Sequence, residues 1–156
     1  VISCSKSLEF DAAHRVVGHD SGCQLLHGHR YKVTFTFESN QLDQLGMVID
    51  FKEIKKRFKS WIDENWDHNT ILNREDQELG EKISAYTGQK VFYLDYNPTA
   101  ENLAFYLGTI VLEEVFSDKK NYIEALTEVK LQETPSSSAS FFRKKCTYRK
   151  DNLVNN

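Results

Sequence analysis

Apolar and polar residues alternate near the start of the chain: Ile2, Cys4, Leu8 and Phe10 fall on even positions, and Val33, Phe35 and Phe37 repeat the pattern. A period of two places such residues on one side of a pleated strand, so both stretches read as half-buried strands. The irregular segment between them holds most of the histidines. From Asp50 the period changes. Phe51, Ile54, Phe58 and Ile62 recur at helical spacing, Asp50 and Glu53 resemble a capping box, and a helix is expected to run to Asn65.

Residues 74–90 are polar and mixed, and periodicity does not decide there between a short helix and a long connection. Pro98 and Thr99 then open a second amphipathic helix carrying Leu103, Leu107, Ile110 and Val111, with Thr99 as its N-cap. Beyond it, Thr127, Val129, Leu131 and Glu133 share one face of a strand. Ser138 to Lys144 form another after the turn at Pro135. The order strand, strand, helix, helix, strand, strand indicates an α+β domain with a mainly antiparallel sheet.

The chain has 156 residues, 40% hydrophobic and 28% charged, which suits one core and one domain spanning 1–156. A formal net charge of -3 supplies no broad basic field, so nucleic acid and an anionic membrane sheet are not expected partners. No run approaches the roughly twenty apolar residues that cross a bilayer, and residues 1–15 lack a signal-like apolar stretch. A soluble, cytoplasmic protein is expected. Cys4, Cys23 and Cys146 form an odd set in unrelated settings, which argues against a disulfide framework and fits a reducing compartment.

Chemistry concentrates around His27-Gly28-His29. Residues i and i+2 of an extended chain point to the same side, so the two imidazoles can converge on one ion. An antiparallel return would bring His14 beside them. Three neutral nitrogens with a fourth position left open would suit a catalytic zinc, although imidazole also binds other transition metals. His19, without a partner at fixed spacing, reads as an ordinary surface histidine. Cys23, four residues before His27, is a ligand, a buried hydrophobe or a reactive thiol; a nearby cation would favour its thiolate and equip it as a proton acceptor. Cys4 and Cys146 read as packing residues. Asp67-His68 is either an oriented proton-transfer pair or a polar helix exit. Glu133 ends a strand whose other same-face residues are mostly apolar. It is either an exposed strand end or a carboxylate aimed into a pocket, where it could accept two hydrogen bonds from an amidine-like edge.

Taken together, Phe10-Asp11-Ala12-Ala13-His14-Arg15, the block from Cys23 to His29, Gly46-Met47-Val48-Ile49-Asp50-Phe51, Trp66-Asp67-His68-Asn69, Pro98-Thr99-Ala100-Glu101-Asn102-Leu103 and Glu133-Thr134 resemble the 6-pyruvoyl-tetrahydropterin synthase superfamily. The match runs in order along nearly the whole chain. It implies that His14, His27 and His29 bind Zn²⁺, that Cys23, Asp67 and His68 move protons, and that Glu133 anchors a pterin with Thr134 beside it. It also implies a T-fold, a four-stranded antiparallel sheet backed by two helices. Such subunits join into a barrel, commonly a hexamer made of two trimers, so the site would be shared between copies.

The spacing Cys-x3-His-Gly-His, Asp50-Phe51 and Asn97-Pro98-Thr99-Ala100-Glu101-Asn102 resemble the bacterial queuosine branch, and Cys23 weighs against folate-linked variants that place a glutamate in its region. The activity implied is conversion of 7,8-dihydroneopterin triphosphate to 6-carboxy-5,6,7,8-tetrahydropterin, with loss of triphosphate and acetaldehyde. A 6-pyruvoyl product is the nearest alternative, and a non-catalytic zinc module is the alternative from another class. No glycine-rich dinucleotide fingerprint is present, consistent with a reaction that uses no nicotinamide. Arg15, Arg30 and Lys32 are candidates to meet the triphosphate, none standing out. The segment from Arg74 to Tyr96 is longer than in compact members and is expected to reshape the pocket rim.

Overall fold

The computed structural model describes residues 1–143. Strands β1 (Ile2–His14) and β2 (His27–Ser39) pair antiparallel along their whole length, Ile2 opposite Ser39 and His14 opposite His27. The inward row of β1 is Leu8, Phe10, Ala12 and His14; that of β2 is Tyr31, Val33, Phe35 and Phe37. The alternation expected to end at Phe10 therefore continues through Ala12 to a buried histidine. A slip of one residue would turn both apolar rows to solvent, which is what holds this register.

Helix α1 (Phe51–Asn65) packs Ile54, Phe58, Trp61 and Ile62 against that face, Phe58 stacking on Phe35 with centroids 3.7 Å apart. Asp50 caps it by accepting the Lys52 N–H at 2.8 Å. The capping box is incomplete: the Glu53 carboxylate turns to Arg57, 2.8 Å away. Phe51, expected on the buried stripe, sits in the first turn and is half exposed.

The next segment corrects the four-strand expectation. Strand β3 (Asn69–Asn73) and strand β4 (Val91–Leu94) extend the sheet beside β1, both parallel to it, with helix α2 (Gln77–Thr87) crossing between them. Thr70 to Asn73 are buried on both faces of β3, so polar and apolar residues do not alternate and the period-two signal is missing. Helix α3 (Ala100–Tyr106) starts where expected, with Thr99 Oγ1 accepting the Asn102 N–H at 3.3 Å. It runs through a π-helical stretch (Leu107–Val111) into α4 (Leu112–Val115), and α5 (Lys120–Ala125) follows.

With strands β5 (Leu126–Thr134) and β6 (Ser137–Phe142), the described residues form a six-stranded sheet of order β4-β3-β1-β2-β5-β6. A bulge where Leu126 faces Phe37 and Glu128 faces Thr36 gives the inward position to Leu126 rather than the expected Thr127. The end of the last strand expected at Lys144, and Cys146, lie outside the described residues. Within them no helix is long and apolar enough to cross a membrane.

Candidate functional site

The inward rows that build the core end in histidine. His14 follows Leu8, Phe10 and Ala12; His29 and His27 precede Tyr31 and Val33 on the facing row, so core register and site register are the same. The three imidazoles offer one nitrogen each within 4.8 Å of one another. Carbonyl oxygens set two of the tautomers. His14 Nδ1 donates to Pro98 O at 2.7 Å and His27 Nδ1 donates to Leu25 O at 2.7 Å. Both Nε2 atoms then carry bare lone pairs, yet they face each other at 3.2 Å.

Two lone pairs that close repel unless a cation lies between them. His29 Nε2 is buried without a hydrogen-bond partner among the described residues, an orphaned polar atom that a bound metal ion would satisfy. Burial holds His14 and His29 below the ordinary imidazole range, against the opposing pull of Glu133, so both are neutral as metal ligation requires. The residues present fit a metal ion.

Glu133 continues the β5 row of Val129 and Leu131 to the same rim. Its Oε1 lies 3.5 Å from His29 Nε2 and its Oε2 3.9 Å from His14 Nε2, without hydrogen-bond geometry. It is thus a carboxylate aimed into the site rather than an exposed strand end. Thr134 follows at an irregularity in the β5–β6 pairing, with its hydroxyl 3.5 Å from Ser136 Oγ. Tyr31, which sequence reasoning passed over, is buried behind the triad with its hydroxyl 3.2 Å from His14 Nδ1. Burial pushes its phenol well above the ordinary range, so it stays a neutral hydroxyl. Its signal was present in the sequence, since Tyr31 extends the His27, His29 row.

Cys23 sits in a 3₁₀ turn (Gly22–Gln24) of the loop between β1 and β2. It lines a cavity of about 340 Å³ together with His14, Glu133, Thr99, Glu101 and His19. His19 is thus at the cavity mouth, its Nδ1 accepting the Ser21 N–H at 3.1 Å. Asp67 and His68 do not join Cys23 there. His68 lines a separate hollow of about 440 Å³ with His29, Arg30 and Gln89. Its Nδ1 lies 3.0 Å from Asp67 Oδ2, and Asp67 Oδ1 accepts the Asp11 N–H at 2.9 Å.

His68 adopts φ of 58°, a left-handed conformation that a non-glycine residue holds only at a cost, and its side chain is 78% exposed. Burial works to raise Asp67, but the Asp11 N–H and the His68 imidazole outweigh it and hold the carboxyl below the usual range. The three expected proton-transfer residues therefore flank the histidine triad on two sides of one chain. Among the basic candidates, Arg15 is ion-paired with Asp76 at 2.8 Å and Arg30 with Asp11 and Glu9 at 2.9 and 3.1 Å, while Lys32 is exposed on the outer sheet face.

The family model described as 6-pyruvoyl tetrahydropterin synthase matches residues 3–144. A Rickettsia bellii protein named 6-carboxy-5,6,7,8-tetrahydropterin synthase is 48% identical over 136 residues, 87% of this chain and 96% of that one. An Aquifex aeolicus protein of the same name is 33% identical, covering 88% and 95%. Among solved structures, 6-pyruvoyl tetrahydropterin synthase of Caenorhabditis elegans superposes with a TM-score of 0.63 at 23% identity, over 92% of this chain and 96% of that one.

Proposed function

Because the chain belongs to the 6-pyruvoyl tetrahydropterin synthase family, we propose that it is a zinc-dependent lyase. It would convert 7,8-dihydroneopterin triphosphate to 6-carboxy-5,6,7,8-tetrahydropterin, releasing acetaldehyde and triphosphate, in the cytoplasmic synthesis of queuosine. The observation that carries this reading is the histidine triad. Three imidazoles converge, and one of them, His14, lines a cavity that also holds the Cys23 thiol and the Glu133 carboxylate. The name shared by the Rickettsia and Aquifex relatives supports the 6-carboxy product.

His14, His27 and His29 would hold the ion, which when bound supplies Lewis-acid polarisation of the substrate's side-chain oxygens. Glu133 accepts hydrogen bonds from the amidine-like edge of the pterin and fixes the ring, with Thr134 supporting the strand end. Cys23 takes a proton from the side chain. His68, oriented by Asp67, moves protons between side chain and ring. Ring reduction is matched by side-chain oxidation, so no nicotinamide is consumed.

Since Cys23 and His68 lie on different sides of the triad, the working site is completed by a second copy, in a homo-oligomer of the hexameric kind formed from two trimers. The β4 and β6 edges of the sheet, unpaired among the described residues, are the natural joining surfaces. Mass spectrometry of the products formed from 7,8-dihydroneopterin triphosphate tests the assignment. A 6-carboxy product with acetaldehyde is expected, whereas a 6-pyruvoyl product would keep the site but move the protein to the other branch of the family.

A further inference from the structure

Residues 15–26 run from the ligand His14 to the ligand His27 without a strand of their own, and they carry Cys23. Such a segment samples many conformations unless its backbone groups are tied down. Internally, the Val16 N–H donates to Cys23 O at 2.8 Å, so wherever Val16 goes Cys23 goes too. The next residue is held from outside. The Val17 N–H donates to Asn97 Oδ1 at 3.0 Å, and Asn97 Nδ2 donates to Val17 O at 2.9 Å. One primary amide thus pairs with both backbone groups of Val17, as a neighbouring strand would.

Asn97 is itself fixed on every side. Asn73 Nδ2, from the buried end of β3, donates to Asn97 Oδ1 at 3.1 Å. The Asn97 carbonyl accepts from Asn102 Nδ2 at 2.8 Å and from the Thr99 N–H at 2.9 Å, which locks it to the start of α3. The residue that follows is Pro98, whose carbonyl sets the tautomer of His14.

From this geometry we infer that Asn97 is a positioning residue. Its side chain holds the Cys23 loop, and its backbone places the carbonyl that orients His14, so thiol and metal ligand are set by one rigid unit. The inference rests on the functional reading above for the roles of Cys23 and His14, but its geometry is independent of the substrate. Asparagine is required because the amide both accepts and donates. A carboxylate of the same shape would face the Val17 carbonyl with a second acceptor and repel it.

The test is Asn97→Asp in the zinc-loaded full chain, read by the rate of Cys23 alkylation by iodoacetamide, by zinc transfer to a chromogenic chelator, and by steady-state kinetics. With fold and zinc content retained, Cys23 is expected to be alkylated about tenfold faster or more, and zinc to transfer severalfold faster. Turnover should fall at least about tenfold with KM changed less than about twofold, because Glu133 is untouched. Asn97→Gln, which keeps the chemistry but not the reach, should behave like Asn97→Asp. Alkylation and zinc-transfer rates equal to the unsubstituted protein would overturn the inference.

These two readouts need no turnover, so they stand even where the unsubstituted protein is inactive on the pterin, which would count against the proposed function alone. If Asn97→Asp does not fold, hydrogen exchange of the unsubstituted protein decides. The Val17 amide should exchange at least about a hundredfold more slowly than those of Asp20 and Gly22, and faster once zinc is stripped. An unprotected Val17, or protection indifferent to zinc, would overturn the inference.

Discussion

At the residue scale, the proposed division of labour between ligands and proton carriers is directly testable. Cys23→Ala is expected to keep its fold and its zinc while losing about 10²–10⁴-fold in turnover, the usual worth of a positioned acid–base group. Loss of stoichiometric zinc in that variant would make Cys23 a ligand instead. His27→Ala removes one of the paired Nε2 atoms and should abolish both metal retention and turnover, read by metal analysis and product assay. Asp67 gives a pH signature. Its carboxyl is held below the ordinary 3.8, so its stabilising effect is present above that value and is lost as pH falls through the lower folded one. Asp67→Asn should therefore cost about 1 kcal/mol in urea unfolding at pH 7, a gap that closes under strongly acid conditions.

Part of the placement of these side chains was legible in the sequence. His27 and His29 two apart on a strand must share a side, and Glu133 two past Leu131 must share the inward row. Asn97 was not legible as a clamp, because what its side chain clamps is the backbone of Val17, and backbone groups leave no trace in residue identity. The separation of Cys23 from His68 was equally hidden. It depends on which side of the sheet each connecting loop leaves.

At the element scale, signals were readable where one face of an element meets water. β1, β2 and α1 each show a half-buried period, and their register or N-cap followed from it. β3 fails that test, since Thr70 to Asn73 are covered on both faces, and β4 is too short to show a period. The bulge near Leu126 shifts a row by one residue without any glycine or proline to announce it. The π-helical stretch has an identifiable neighbour. A Cβ on Gly108 would lie 2.5 Å from Phe141 Cδ1 and 3.1 Å from Val129 Cγ2, so the helix can approach β5 and β6 this closely only with glycine there. Gly108→Ala should therefore destabilise by about 1–3 kcal/mol through overpacking despite alanine's better helix propensity. Chemical denaturation that found the variant unchanged or stabilised would contradict this packing.

At the scale of the whole molecule, the parallel pair β3–β4 and helix α2 enlarge the expected four-stranded layer to six strands and place the Asp67-His68 pair at the entry to the added part. The Arg15–Asp76 ion pair ties that addition back to the end of β1 beside His14. The proposed division of the site between two copies makes a specific demand. Cys23→Ala and His68→Ala chains, each inactive alone, should recover part of the activity when mixed oligomers form, because some interfaces then contain both intact groups. Recovery no greater than background would confine the reaction to one chain.

The most direct measurement of the central claim is product formation from 7,8-dihydroneopterin triphosphate as zinc is titrated back into chelator-stripped protein without nicotinamide. The expected result is no turnover in the stripped form and a rise to a plateau at one zinc per chain, with 6-carboxy-5,6,7,8-tetrahydropterin and acetaldehyde formed together. Full turnover in the stripped form would contradict the metal's role, and zinc binding at that stoichiometry with no turnover would leave a zinc-stabilised module without this chemistry.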